Sequence, residues 1–137
     1  MGIFLKDINL KGKTALITGA TKGLGRGATE AIAEAGGNII AIGRNQSELN
    51  SLGKKIKKLK VKYTPFNCDV NNYEKIKNFI TKLKKLDILV NNAGTNIPEN
   101  FLNVKEASLE TILNVNTKAV FNIAQLCANQ IIKLKRK

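Results

Sequence analysis

The segment TGATKGLGRG, residues 18–27, holds four glycines, of which Gly19, Gly23 and Gly25 stand around Thr21, Lys22 and Leu24. A run of this kind between a strand and a helix suits the binding of a pyrophosphate. Gly19 permits the tight turn, Gly23 and Gly25 let the backbone approach the anion, and the helix start beyond offers free N–H groups and a positive dipole end. The spacing is TGxxxGxG rather than GxGxxG, so the elements on either side decide the reading. About 20 residues on, a chain that binds NAD usually carries an acid for the ribose 2′-hydroxyl. This sequence reads IIAIGRN there, with Gly43 at the acidic position and Arg44 directly after it. A guanidinium suits a 2′-phosphate, which an acid would repel, and Lys22 supplies a second cation. NADP is the expected ligand, in preference to NAD.

The elements that would position these residues alternate from Lys13 onward. TALIT, residues 14–18, is a short β-branched and apolar strand closed by Gly19. Helical spacing of Leu24, Ala28, Ala31, Ile32 and Ala35 predicts a helix over 24–35 that ends at Gly36-Gly37. A second strand is expected over 38–42 and a second helix over 47–59, with Leu49, Leu52, Ile56 and Leu59 inward. VKYTPF, residues 61–66, reads as a third strand. Asn71 with Glu74 reads as a capping box for a third helix that buries Ile76, Phe79, Ile80 and Leu83. DILV, residues 87–90, is a fourth strand. A long helix from about 108 is expected to bury Leu109, Ile112, Leu113, Val120, Ile123, Ala124 and Cys127. Strand–helix alternation with nearly all-apolar strands implies an α/β fold, a parallel sheet covered on both faces. Right-handed crossovers then give the strand order 3-2-1-4 of a Rossmann-type, doubly wound sheet. The 137 residues are read as one such domain.

Composition narrows the chemistry. The net charge of +13 comes from 20 lysines and only 3 arginines. Such an excess can mark a polyanion partner, but the low arginine count favours solvated faces, and no nucleic-acid partner is expected. KKIKKLKVKY has one aromatic and no arginine, a poor stacking platform. With no histidine, the chain cannot build a Ser-His-Asp triad or an HExxH site. Cys68 and Cys127 lie far apart, so neither a disulfide framework nor a metal site is indicated. MGIFLKDINL lacks the apolar run of a signal peptide, and Lys6 stands where a myristoylation motif wants Ser or Thr. No stretch is long and apolar enough to span a bilayer. No membrane association and a cytoplasmic location are expected.

Three further stretches occur in order: CDV at 68–70 after the third strand, NNAG at 91–94 after the fourth, and NVN at 114–116 in the long helix. With TGATKGLG they give the chain, from Leu10 to its end, a pattern that resembles the short-chain dehydrogenase/reductase family, in particular its 3-oxoacyl-carrier-protein reductase and sugar-alcohol dehydrogenase branch. The resemblance implies hydride transfer between a nicotinamide and a carbonyl or secondary alcohol. It assigns Asp69 to the adenine amino group, Val70 to the adenine ring, Asn92, Ala93 and Gly94 to the cofactor-lining motif, and Asn116 to the active-site asparagine of the proton relay. A homo-oligomer is the implied assembly.

The family's serine and its Tyr-x-x-x-Lys lie beyond the asparagine helix. The closing CANQIIKLKRK reads as an interior helix end, so an incomplete amino-terminal portion of a longer chain is expected, inactive alone. Tyr73 and Lys77 have the Tyr-x-x-x-Lys spacing but precede the fourth strand, towards the adenine side, and are rejected as catalytic. A non-catalytic nucleotide-binding module is the first alternative, and a basic polyanion-binding protein the second.

Overall fold

Thr14–Thr18 forms the first strand, β1, in which every residue is buried. Ala15 and Ile17 point to one layer and Leu16 to the other. The same two-residue period divides β2, Asn38–Gly43, into Ile39 and Ala41 on the first face and Ile40 and Ile42 on the second. A strand with both faces covered must be apolar throughout, which is why these two lack the polar alternation of a half-exposed sheet. The computed structural model describes residues 8–135; Lys6 and the last two residues of the closing CANQIIKLKRK lie outside them.

The chain continues through α1 (Gly23–Glu34), α2 (Gln46–Lys57), β3 (Tyr63–Asn67), α3 (Tyr73–Ile80) and β4 (Ile88–Val90). It ends in α4 (Glu106–Leu113) and α5 (Val120–Lys135), joined by a π-helical stretch, Asn114–Ala119. The sheet is parallel with order β3-β2-β1-β4, as the alternation predicts. Helices α1 and α2 cover one face, where Ala33, Leu49, Leu52 and Ile56 meet Ile17 and Ile39. Helices α3 and α5 cover the other, where Ile76, Ile80, Ile123 and Cys127 meet Leu16 and Ile42. Asp87 sets the start of the β1–β4 pairing: its carboxylate accepts from the Thr14 N–H at 2.8 Å and its own N–H donates to the Thr14 carbonyl at 2.9 Å.

Several expectations need correction. The inward face of α1 is Gly25, Thr29 and Ala33, whereas Leu24 is 87% exposed. The helix lies so close to the sheet that small residues are required there, and the buried Thr29 hydroxyl is satisfied by the Gly25 carbonyl at 2.8 Å. Leu59 lies beyond the end of α2 and is partly exposed, and β3 begins at Tyr63 rather than 61. The cap of α3 is Asn72, whose side chain accepts from the Lys75 N–H; Asn71 precedes it. In the last helical run Ile123 and Cys127 are buried, but Leu109, Leu113 and Ala124 are exposed. The π-helical turn shifts the phase between α4 and α5, so one helical stripe cannot describe both.

Two acids, buried Cys127 and half-buried Tyr63, make stability pH-dependent at the alkaline end. Burial raises the Cys127 thiol from its ordinary 9 to about 12 and the Tyr63 phenol from 10 to about 12. Tyr63 packs on α2, and its hydroxyl donates to the Leu49 carbonyl at 2.7 Å. A proton held more tightly in the folded state stabilises it fully below the unfolded pKa, and that contribution is lost as pH rises towards the folded value. The urea midpoint should therefore fall between pH 9 and 12, and Tyr63→Phe should remove part of the fall. An equal fall in the variant would show that the phenol contributes nothing.

Candidate functional site

Four strands end on the same side of the sheet, and the segments that follow them enclose one cleft of about 630 Å³. Its walls are Gly19, Thr21 and Lys22 after β1, Ile42 and Gly43 at the end of β2 with Arg44, Asn45 and Glu48 after it, Cys68 to Asn71 after β3, and Asn92 to Thr95 after β4, with Thr111 and Val115 beyond. The carboxyl edge of a doubly wound sheet, between strands whose crossovers leave in opposite directions, is where this architecture opens a crevice.

The turn after β1 is locked to the end of β4 by side chains of both. The Thr18 hydroxyl accepts from the N–H groups of Asn92 and Ala93, each at 3.0 Å. In return the Asn92 amide donates to the carbonyls of Thr18 and Gly19, both at 3.1 Å. Gly19 has φ +62, and a Cβ there would lie 3.0 Å from the Asn92 amide nitrogen and 3.1 Å from the Ala93 Cα. A Cβ on Gly25 would fall 2.2 Å from the Gly19 carbonyl oxygen and 2.3 Å from the same amide nitrogen. Close approach of α1 to this turn is thus the structural reason for glycine at 25, where the sequence suggested room for an anion. Gly23, Leu24 and Gly25 form the start of α1, directly after the loop residues Thr21 and Lys22 that line the cleft.

The structure brings Gly19, Thr21, Lys22, Arg44, Asp69, Val70, Asn92, Ala93 and Gly94 together around one cavity. Asn116 stands just outside that lining. Its amide exchanges two hydrogen bonds with the backbone of Thr95, accepting from the N–H at 2.8 Å and donating to the carbonyl at 2.9 Å. It sits in the π-helical turn, and Asn91 steadies the far end of that turn by donating to the Val120 carbonyl at 3.0 Å. Tyr73 and Lys77 lie on α3, away from the cleft lining.

Both cations on the cleft wall face carboxylates. The Lys22 ammonium is 2.8 Å from Glu48, whose other oxygen accepts from the Thr21 hydroxyl at 2.8 Å. These two contacts, the lysine first, hold the Glu48 carboxyl below the ordinary carboxylate range. Arg44 and Asp69 approach to 4.0 Å across the mouth. Burial pushes the Cys68 thiol up. Glu48 and Asn45 were missed by sequence reasoning, although Asn45-x-x-Glu48 is a legible capping signature. Asn45 does cap α2, accepting from the N–H groups of Ser47 and Glu48, but the Glu48 carboxylate turns outward to the phosphate loop. Among the described residues, no cluster of His, Cys, Asp or Glu could hold a metal ion, and no helix is long and apolar enough to cross a membrane.

Comparison with known proteins agrees with this architecture. The family model described as short chain dehydrogenase matches residues 13–137. A 3-oxoacyl-(acyl-carrier-protein) reductase of Thermotoga maritima is 35% identical over 130 residues, covering 92% of this chain and 53% of the relative. An L-xylulose reductase of Mus musculus is 32% identical over 126 residues, covering 92% of this chain and 50% of the relative. The crystal structure of a short-chain type dehydrogenase/reductase from Mycobacterium marinum superposes with a TM-score of 0.87 at 30% identity, over 97% of this chain and 55% of that one. The chain thus spans about half the length of the curated relatives it matches. With the parallel 3-2-1-4 sheet and the glycine turn pinned to β4, the match over residues 13–137 establishes that the chain belongs to the short-chain dehydrogenase/reductase family.

Proposed function

We propose that the chain is the cofactor-holding portion of an NADP(H)-dependent oxidoreductase that moves a hydride between a nicotinamide and a carbonyl or secondary alcohol. The observation that carries this is the convergence of Lys22, Arg44 and the glycine turn on one cleft at the carboxyl edge of the sheet. The residues present suit a dinucleotide: the cleft reaches Lys22, at the N-cap of α1, and is open and polar at Arg44. Bound NADPH would supply the hydride. The chain's own residues would do the holding. Backbone N–H groups at the head of α1 would meet the pyrophosphate, Arg44 and Lys22 would meet the 2′-phosphate, and Asp69 and Val70 would flank the adenine. Ala93 and Gly94 would lie along the inner ribose, and Asn116, through Thr95, would fix the loop beside them. Small carbonyl or alcohol substrates are the proposed partners. The exposed Phe101, Leu102, Leu109, Leu113 and Phe121 favour self-association.

Carbonyl reduction also needs a proton donor with a pKa near neutrality. No tyrosine or serine lines the cleft among the described residues, and Tyr63, raised to about 12, donates to the Leu49 carbonyl instead. That absence favours a second reading for these 137 residues, nucleotide binding without turnover. The purified chain should oxidise NADPH no faster with a panel of ketones, 3-oxoacyl thioesters and ketoses than without them. Carbonyl-dependent turnover that survives Tyr73→Phe would show that the proton donor has been misplaced.

A further inference from the structure

We propose that Glu48 sets how strongly the cleft prefers a 2′-phosphorylated nucleotide, by holding Lys22 as an ion pair that the phosphate must displace. The inference rests on the cofactor reading above and assigns a role to a residue outside the phosphate loop and outside the end of β2.

Geometry carries it. One carboxylate spans two neighbouring side chains of the phosphate loop, Lys22 at 2.8 Å and the Thr21 hydroxyl at 2.8 Å. All three residues line the cleft together with Arg44. Glu48 itself is held in place: its N–H donates to the Asn45 cap in the first turn of α2, and its side chain is only 25% exposed, against 78% for Lys22. The carboxylate is thus the fixed member of the pair and the lysine the mobile one. Arg44 is likewise faced by Asp69 at 4.0 Å, so these two cations and two anions sum to no net charge. An incoming 2′-phosphate, carrying nearly two negative charges, must take Lys22 from Glu48 and then remain near the bared carboxylate. A free 2′-hydroxyl faces neither cost. The same carboxylate therefore discriminates between the two ligands without touching the parts they share.

Glu48→Gln tests this, because the amide oxygen can still accept from Thr21 while the charge is removed. Adenosine 2′,5′-bisphosphate and adenosine 5′-monophosphate serve as probes, titrated calorimetrically into the full chain at low salt. The variant should bind the bisphosphate about fivefold more tightly, the upper end of what an exposed ion pair is worth. Binding of the monophosphate, which lacks the 2′-phosphate, should stay within about twofold, below the change expected for the bisphosphate. Glu48→Asp, which keeps the charge, should stay nearer the wild-type ratio than Gln does. The gain should shrink in high salt, where exposed charges are screened. An unchanged ratio in Glu48→Gln, an equal change for both probes, or a gain undiminished in high salt would overturn the role of Glu48. If wild type and variants bind neither probe, the cofactor reading falls, and this proposal with it.

Discussion

Gly25→Ala should abolish nucleotide binding and destabilise the chain by about 3 kcal/mol or more, the upper end of what overpacking usually costs. The new methyl would lie 2.2 Å from the Gly19 carbonyl oxygen and 2.3 Å from the Asn92 amide nitrogen. Neither neighbour can yield cheaply. The first is backbone in a turn with φ +62, and the second donates to both Thr18 and Gly19. Relief requires α1 to move away from β1, which would uncover the buried Thr29 and Ala33 on its inner face. Gly27→Ala is the matched control, since a Cβ there meets nothing within 4 Å. Urea melts of the two variants should differ by most of the predicted loss. Equal stabilities would mean that helix and turn are less tightly coupled than their geometry requires.

Arg44→Asp should reverse the nucleotide preference. The wild-type guanidinium lies at the cleft mouth, 79% exposed, with Asp69 as its nearest anion at 4.0 Å. Its removal takes away a charge-assisted partner for the 2′-phosphate, and the new carboxylate adds repulsion beside Asp69 while offering an acceptor to a ribose hydroxyl. Together these should move the NADPH-to-NADH affinity ratio by about a hundredfold, or roughly 3 kcal/mol. Calorimetric titration of both nucleotides into both proteins measures the ratio directly. The same ratio before and after the substitution would remove Arg44 from cofactor selection.

Much of the fold is legible in the sequence because β1 and β2 are covered on both faces. Their continuous apolar runs, Thr14–Thr18 and Asn38–Gly43, leave only a buried parallel sheet as a reasonable fate. The glycine turn, Arg44 and the segments after β3 and β4 follow from that order, since strands running one way end on one side. What was not legible depends on close approach and on side-chain direction. Apolar periodicity put Leu24 inside α1, but the helix lies so near the sheet that Gly25, Thr29 and Ala33 take the inner face. Periodicity also carried one stripe through residues that the π-helical turn at Asn114–Ala119 sets out of phase. Two adjacent asparagines, Asn71 and Asn72, offered equal capping chemistry, and only the backbone path selects the second. Glu48 was legible as a capping partner, but its carboxylate is claimed by Lys22 and Thr21 from a loop distant in sequence.

That one cleft at the carboxyl edge of the sheet receives the dinucleotide is tested most directly by adding NADPH to the isotopically labelled chain and following its backbone amides by NMR. Resonances of Gly19 to Gly25, Arg44, Asp69 to Asn71 and Asn92 to Thr95 should shift together and saturate on a single isotherm. Unchanged resonances in these four segments, with shifts confined to the lysines of α2 and α3, would show charge-driven surface binding and contradict the site.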